Sequence, residues 1–162
     1  MVKSINPVSV EYLREHFSYA PDTGILSRIK SVRSDMLGIQ KKHTVKIGEF
    51  EISKARVIWA IHYGYWPEKL IDHVNRDRND NTLVNLREAT HTQNQYNKVQ
   101  TNTHGYKGVT WRDRQRKPWL AKIRVNGTRL NLGSFATREE AAQAYAEACV
   151  KYHGEFAQLG VK

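Results

Sequence analysis

The stretch from Ile71 to Asn97, IDHVNRDRNDNTLVNLREATHTQNQYN, constrains the fold more than any other part of the chain. It is rich in asparagine, which is a poor helix former and a poor strand former. Two short runs with apolar residues, LIDHVN and VNLREAT, flank the polar segment RDRNDNTL. The pattern therefore predicts a strand, a loop, a return strand and the start of a helix at HTQNQYNK.

Four side chains of this stretch suit phosphodiester hydrolysis. They are Asp72 and His73 on the first predicted strand, Asn85 on the return strand, and Asn94 on the helix. A histidine can deprotonate water near neutral pH. Carboxylate and amide oxygens are hard ligands for a divalent cation, which stabilises charge on a phosphate. Across the predicted hairpin, Asp72 would face Asn94, and Asn85 would reach His73.

The same residues allow simpler interpretations. Adjacent residues of a regular strand point to opposite faces, so a shared site for Asp72 and His73 predicts a bulge or bend there. The asparagines at positions 79 and 81 are most simply turn formers. A calcium loop is a further alternative, but the stretch lacks the central glycine and closing glutamate of an EF-hand.

The composition limits the class of protein. The chain has 162 residues, enough for one ordinary domain or two small ones. No apolar run approaches the roughly 18 residues that cross a bilayer, and the first residues lack the apolar core of a signal peptide. With Cys149 as its one cysteine, the chain forms no internal disulfide and no cysteine-based zinc site. We expect a cytoplasmic protein that makes no use of a membrane.

The charge balance favours an anionic partner. The chain has 26 Lys and Arg residues against 16 Asp and Glu, a net charge of +10. Nucleic acid is the first candidate for such a chain, although a basic protein without such a partner stays an alternative on charge alone. Between Tyr106 and Asn131, eight bases stand against the single acid Asp113. This segment predicts a basic surface in the C-terminal part.

The N-terminal part predicts a small mixed region. SVEYLREHF reads as a helix capped by Ser9, and APDTGILSRI reads as a turn followed by a strand. HTVKIGEFEIS predicts a hairpin around Gly48. The helix KARVIWAIHYG then ends at Gly64, with a proline shortly beyond it.

The C-terminal part predicts a sheet packed on a helix. GYKGVTWRD, PWLAKIRVN and TRLNLGSF read as three strands, with Asn126-Gly127 as a tight hairpin turn. ATREEAAQAYAEACVKYHGE reads as a helix, in which Thr137 and Glu140 complete a capping box. Cys149 falls on its apolar stripe, which makes it a core residue rather than a nucleophile.

The Asp72-His73 pair, followed in order by Asn85 and Asn94, resembles the HNH endonucleases, which use a ββα-metal fold. The likeness is closest to the phage and intron-encoded group with a His-Asn-Asn signature. It extends upstream through GYWPEKLIDHVNRDRNDNTLVNLR and covers roughly residues 9–98.

This resemblance implies a role for each matching residue. His73 would be the general base, and Asn85 would orient it. Asp72 and Asn94 would hold one divalent metal ion, Mg²⁺ or Mn²⁺. Candidate phosphate contacts are Arg76, Arg78 and Arg87.

The strings YKGV, WLAKIR, RLNLGSF and TREEAAQAY resemble the AP2 DNA-binding domain over about residues 105–159. The resemblance implies a three-stranded sheet in the major groove of DNA. For Trp119, core packing and DNA contact stay equally open. Thr110 and Asn131 depart from the plant pattern, so the target sequence does not follow. The residues expected to bind DNA are Arg112, Arg114, Trp119, Lys122, Arg124 and Arg129.

Together these observations predict an α+β protein with three parts. A small N-terminal β/α region leads into the ββα-metal motif, and together they form an HNH domain over 1–98, with its core at about 68–98. A linker follows at 99–104, and a three-stranded antiparallel sheet packed on one helix forms an AP2-like domain over 105–162.

The expected function is that of a metal-dependent DNA endonuclease, of the nicking or homing kind. It would act on double-stranded DNA as a monomer or weak dimer, in a bacterial host cell, and be encoded by a phage or mobile element. The alternative is a sequence-specific DNA-binding regulator with a vestigial nuclease fold. An RNA-binding module is weaker, because no RNP strand or GXXG loop is present.

Overall fold

The structure is a computed structural model that describes residues 8–29, 37–40, 42–98, 105–113 and 115–159. It confirms the α+β class. The chain forms two compact units, Met1–Thr90 and His91–Lys162. The domain limits drawn from the sequence stay predictions, and the linker at 99–104 lies outside the described residues. No helix in the described ranges has the length and apolar character needed to cross a membrane.

The first unit alternates short strands with two helices. In chain order its elements are α1 (Val10–His16), β1 (Phe17–Ala20), β2 (Ile25–Arg28), β3 (Leu37–Gln40), β4 (Thr44–Ile47), β5 (Phe50–Ser53), α2 (Lys54–Tyr63), β6 (Leu70–His73) and β7 (Leu86–Ala89). A 3₁₀ turn, Leu83–Asn85, precedes β7. β1 pairs with β2, β4 lies between β3 and β5, and β6 pairs with β7, all antiparallel.

Local signals place both helices of this unit. The Ser9 hydroxyl accepts a hydrogen bond from the Tyr12 amide, and α1 ends at His16 because Phe17 has extended backbone angles. The sequence had extended this helix through Phe17 and had missed β1. Gly64 closes α2 at φ 82°, a left-handed conformation that glycine adopts without strain.

The core of the first unit lies between α1, α2 and the strands. Leu13, Val57 and Ile58 are fully buried, and Phe17 and Val45 pack with them. Arg56 lies on another side of α2 and donates to the carbonyls of Lys69 (2.8 Å) and Pro67 (3.0 Å). These two bonds fix the segment that leads into β6.

The second unit is a three-stranded sheet with one long helix. Its elements are α3 (His91–Asn97), β8 (Val109–Trp111), β9 (Trp119–Val125), β10 (Thr128–Phe135) and α4 (Arg138–His153), followed by a 3₁₀ turn, Gly154–Phe156. The strand order is β10-β9-β8, with antiparallel pairing throughout. Asn126 and Gly127 both have positive φ, which confirms the predicted two-residue turn.

Helix α4 covers one face of this sheet. The Glu140 amide donates to the Thr137 hydroxyl, and the Glu140 carboxylate accepts from the Thr137 amide, so the capping box is confirmed. Cys149 packs with Ile123 and Tyr145, and burial raises the pKa of its thiol. The cysteine is therefore a core residue, as predicted.

Gly108 provides a test of the packing between α4 and the sheet. Its φ is 74°, and a Cβ there would overlap the Tyr145 ring and lie 2.6 Å from the Lys122 carbonyl oxygen. Gly105 has a similar φ of 79° with nothing within 4 Å of a Cβ. Gly105→Ala should cost about 1 kcal/mol for the left-handed backbone alone. Gly108→Ala should cost about 3 kcal/mol, because the overlap adds to that strain.

Urea unfolding followed by the methyl NMR signals of Ile123 measures both variants in the second unit. Equal costs for the two substitutions would contradict the packing described for Gly108.

Candidate active site and nucleic-acid interface

The ribbon formed by β6 and β7 carries the first two candidate residues. Asp72 pairs in register with Arg87, and His73 pairs with Leu86, with no shift anywhere in the ribbon. The predicted bulge at Asp72-His73 is therefore wrong: the strand is regular, and the two side chains leave opposite faces. His73 is the last residue of β6, so the imidazole lies where the ribbon ends.

Asp72 is a buried carboxylate held by an arginine. The Arg87 guanidinium donates from Nε (3.0 Å) and from one terminal nitrogen (2.9 Å) to the same oxygen, Oδ2. The Asp72 side chain is 5% exposed and the Arg87 side chain is 14% exposed. A pair this deeply buried fixes the position of the carboxylate. Arg87 had been predicted to contact phosphate; its observed contact is Asp72, and the phosphate contact stays a prediction.

Asn85 lies on a different element from the one predicted. It ends the 3₁₀ turn before β7 instead of lying on the return strand, because residues 83–85 turn back before pairing begins. Its buried side-chain amide accepts a hydrogen bond from the Asn75 backbone N–H (2.8 Å) and donates one to the Asp80 backbone carbonyl (2.7 Å). Asn85 therefore holds the two ends of the 75–80 loop together. Its role in orienting His73 stays a prediction.

The side chain observed against the imidazole is that of Asn81. His73 Nε2 lies 3.1 Å from Asn81 Oδ1. The sequence predicts a turn former at Asn81, since nothing in a loop of polar residues marks which one is buried. In the structure Asn81 is 6% exposed.

The first hairpin of the chain braces the segment that contains Asn81. The Tyr19 hydroxyl, on β1, donates a hydrogen bond to the backbone carbonyl of Asn81 at 2.9 Å. Gly24, in the turn between β1 and β2, approaches so closely that a Cβ would lie 2.7 Å from the Thr82 nitrogen. Only a residue without a side chain fits there.

The remaining loop residues are turn formers, as the simpler interpretation holds. The Asp77 amide donates to the Asn75 side chain, and the Asn79 amide donates to the Asp77 side chain, both two residues back. Hydrogen bonds from the Thr82 hydroxyl and amide lower the pKa of Asp80. No group of three or more His, Cys, Asp and Glu side chains that could hold a metal occurs within the described ranges.

A metal site with one carboxylate and one amide remains compatible with these residues. The Asp72 carboxylate and the Asn94 amide oxygen are the hard donors that Mg²⁺ and Mn²⁺ prefer. Arg87 holds the first of them in place. Asn94 is half-buried on α3, which belongs to the second unit. The pairing of Asp72 with Asn94 stays a prediction.

Contacts within the second unit hold α3. The Tyr96 ring stacks on the His153 ring with centroids 3.6 Å apart, and its hydroxyl accepts from the Asn126 amide at 2.8 Å. Lys107 donates to the carbonyls of Tyr96 and Lys98, both at 2.7 Å, at the C-terminal end of α3. Lys107 is therefore an internal residue, although its place among the bases of residues 106–131 predicts a surface position.

The sheet face opposite α4 carries the predicted bases. Arg124 and Arg129 are exposed and lie directly opposite each other on β9 and β10, and Lys122 pairs in register with Asn131. None of these three bases makes an ion pair with another described residue. Like charges directly across a sheet destabilise it, so this face is suited to an anionic partner.

The other predicted DNA-binding residues fall into three groups. Arg76 and Arg78 are exposed in the loop after β6, and Arg112 is exposed after β8. Trp119 lies on the α4 side of the sheet, where it packs with Phe135 against the core, so its core interpretation has a structural basis. Arg114 lies outside the described residues.

The segment that carries this geometry matches a known family. Residues 54–96 match the sequence model of the HNH endonucleases. Residues 54–96 form an HNH endonuclease domain. The match contains α2, β6, β7 and most of α3, and so all four predicted catalytic and metal-binding residues.

Each of the following relatives matches only part of this chain. The uncharacterized HNH endonuclease L560 of Acanthamoeba polyphaga mimivirus is 34% identical over 87 residues, 54% of this chain and 44% of that protein. The AP2-like ethylene-responsive transcription factor CRL5 of Oryza sativa subsp. japonica is 51% identical over 51 residues, 30% of this chain and 8% of that protein.

A similar plant protein, the AP2-like ethylene-responsive transcription factor AIL7 of Arabidopsis thaliana, is 53% identical over 51 residues. These residues are 30% of this chain and 10% of the plant protein. The chain thus spans less than half the length of the mimivirus relative and a tenth or less of the two plant proteins. No solved structure matches this chain.

The Arg87 ion pair of the HNH domain generates a stability prediction. Arg87→Met leaves the buried Asp72 carboxylate without its observed partner and should cost about 3 kcal/mol. Arg78→Met is the matched control, because the same substitution at an exposed position of the same motif should change stability by less than about 0.5 kcal/mol.

Native-state hydrogen exchange of the α2 amides measures the opening free energy of the first unit for both variants. Similar values for Arg87→Met and Arg78→Met would show that the ion pair does not hold this ribbon.

Proposed function

We propose that this protein is a metal-dependent DNA endonuclease that binds double-stranded DNA through its C-terminal AP2-like part and hydrolyses a phosphodiester bond. One observation carries the proposal. The β6–β7 ribbon ends with a buried carboxylate on Asp72 and a hydrogen-bonded imidazole on the next residue, His73, within the stretch that matches the HNH endonucleases. These are a metal ligand and a base of the kind that phosphodiester hydrolysis needs.

In the proposed reaction, His73 takes a proton from the water that attacks the phosphorus. Asp72 and Asn94 would hold one divalent ion, Mg²⁺ or Mn²⁺. Bound there, such an ion supplies positive charge for the phosphate and the leaving 3′ oxygen. Arg87 holds the Asp72 carboxylate in a fixed position before any cation binds.

Arg76 supports a phosphate contact near the site. Its φ is 69°, in the left-handed region that costs a residue with a side chain about 1–2 kcal/mol. Glycine would avoid that strain. An exposed arginine in this conformation, three residues after His73, is consistent with a function for its charge. Arg78, two residues further on, is proposed as a second phosphate contact.

The face of the second unit that carries Lys122, Arg124 and Arg129 is proposed to bind DNA. These bases make no ion pair among the described residues, and two of them lie opposite each other across the sheet. Phosphates would relieve that repulsion. The exposed Arg112 and Arg114, which lies outside the described residues, are proposed to extend the contact.

Finer features of the function follow from the same reasoning. One HNH motif supplies one metal site, so we propose that a monomer nicks one strand and that a double-strand break requires a weak dimer or two binding events. We also propose that the protein acts in the cytoplasm of a bacterial host and that a phage or mobile element encodes it.

Nicking of supercoiled DNA tests the enzymatic part of the proposal. The protein should convert supercoiled plasmid or phage DNA to the open-circular form with Mg²⁺ or Mn²⁺ and not with EDTA. His73→Ala should lower the nicking rate by about 100-fold or more while DNA affinity is retained, because only the base is lost. His62→Ala, at an exposed position of α2, is the matched control and should nick like the wild type.

The regulator alternative makes the opposite prediction in that assay. Tight DNA binding with no cleavage in any metal, across all substrates, would support a DNA-binding regulator with a vestigial nuclease fold.

Salt-dependent binding tests the proposed DNA-binding face. Arg124→Met and Arg129→Met should each weaken DNA binding and lower the slope of log affinity against log salt by about 1, because each removes one phosphate contact. Lys151→Met, at an exposed position of α4, is the control and should leave the slope unchanged. Fluorescence anisotropy between about 50 and 200 mM salt gives the affinity and the slope. Over that salt range, roughly six phosphate contacts change the affinity about 1,000-fold. Unchanged slopes for both arginine variants would exclude this face.

A further inference from the structure

We infer that Asn81 positions the imidazole of His73 through a hydrogen bond at Nε2. The inference rests on the proposed function and deepens it. It assigns to Asn81 a task that the family resemblance gives to Asn85.

The orientation of the Asn81 amide is set from both ends. Oδ1 lies 3.1 Å from His73 Nε2, and Nδ2 donates to the Asn79 carbonyl at 3.3 Å. A carbonyl can only accept, so the second bond requires the NH₂ group to point toward Asn79. The amide oxygen is therefore the atom that faces the imidazole.

That orientation selects one tautomer of His73. An amide oxygen accepts hydrogen bonds and cannot donate them, so Nε2 must carry the hydrogen. In a neutral imidazole the other nitrogen then holds the lone pair. A proton gained by the imidazole would place positive charge beside the Asn81 oxygen dipole, which stabilises that charge.

Asn81 is held firmly enough to orient another side chain. It is 6% exposed, and its backbone carbonyl accepts a hydrogen bond from the Tyr19 hydroxyl at 2.9 Å. Gly24 packs against the backbone of residues 81 and 82. A partner that can itself move would not restrict an imidazole at the end of a strand. The β1–β2 hairpin is therefore part of the support of the proposed base.

Asn85 has no comparable contact with the imidazole. Its side-chain oxygen accepts from the Asn75 backbone N–H, and its NH₂ group donates to the Asp80 backbone carbonyl, so both contacts are with the 75–80 loop. Rotation toward His73 would break both bonds at a position that is 5% exposed. The two asparagines thus have separate tasks: Asn85 holds the loop and Asn81 holds the base.

The test uses the full chain with variants at two asparagines of one loop. Asn81→Leu replaces the amide by an apolar side chain of similar size and removes the acceptor. The maximal single-turnover nicking rate should fall by about 10- to 100-fold, the usual effect of losing such a partner. DNA affinity and the Mn²⁺ concentration for half-maximal rate should stay unchanged, since Asn81 contacts neither DNA nor metal in this proposal.

Two further variants separate the acceptor from the shape of the loop. Asn81→Asp keeps an acceptor oxygen and should nick within about threefold of the wild type, because it preserves the tautomer. Asn79→Leu is the control: the Asn79 side chain bonds Asp77 in an exposed turn, and its removal should leave nicking unchanged.

A double variant tests whether Asn81 acts through His73. In a His73→Ala background, Asn81→Leu should lower the residual rate no further, because the group it positions is absent. Long-range ¹⁵N NMR of the imidazole gives a readout without catalysis. The wild type and Asn81→Asp should show one tautomer protonated at Nε2, and Asn81→Leu should show a mixture.

The outcomes keep the two proposals distinguishable. Wild-type protein that never nicks DNA in any metal overturns the proposed function. If the wild type nicks, the role of Asn81 is overturned by any of three results: Asn81→Leu nicks like the wild type, its effect adds fully to that of His73→Ala, or the NMR tautomer does not depend on residue 81.

Discussion

The buried ion pair between Asp72 and Arg87 is the interaction on which the candidate site depends. The two residues lie directly across β6 and β7, and Asp72 is 5% exposed. A carboxylate so far from water is costly without a partner, so the pair requires the ribbon to keep this register. A shift by one residue would turn Asp72 and His73 to the opposite faces. The ion pair thereby fixes both proposed chemical groups.

In the asparagine-rich loop between β6 and β7, side chains of the same type make different contacts. Asn75 and Asn79 close turns, Asn85 joins the two ends of the loop, and Asn81 contacts the imidazole. The same residue type serves each purpose because an amide both donates and accepts hydrogen bonds without adding charge. Near the proposed phosphodiester substrate, a loop stabilised by amides would avoid the repulsion that further carboxylates bring.

Local chemistry explains which features the sequence could predict. The turn at Asn126, the capping box at Thr137 and the glycine that ends α2 each depend on a few neighbouring residues, and the structure contains all three. Asp72, His73, Asn85 and Asn94 were recognisable as a set by their order. The proposed DNA-binding face was recognisable from Lys122 and Arg124, which alternate along β9, and from Arg129 on β10.

Contacts between distant parts of the chain explain what the sequence could not predict. Asn81 differs from Asn79 only because Tyr19 and Gly24, about 60 residues earlier, bury it. Lys107 looks like one more surface base, yet it is buried because the end of α3 offers two carbonyls. The ion pair of Arg87 with Asp72 depends on the pairing of β6 with β7, which the sequence analysis did not extend to these two residues. Composition and periodicity do not reveal contacts between residues that are far apart in the sequence.

Helix α3 shows that a sequence motif and a folding unit need not share a boundary. The family match ends at residue 96, inside α3, whereas the contacts of Tyr96 and Lys107 hold this helix within the second unit. With only seven residues, α3 has little stability of its own, so it depends on those contacts. The position of Asn94 therefore depends on packing within the second unit.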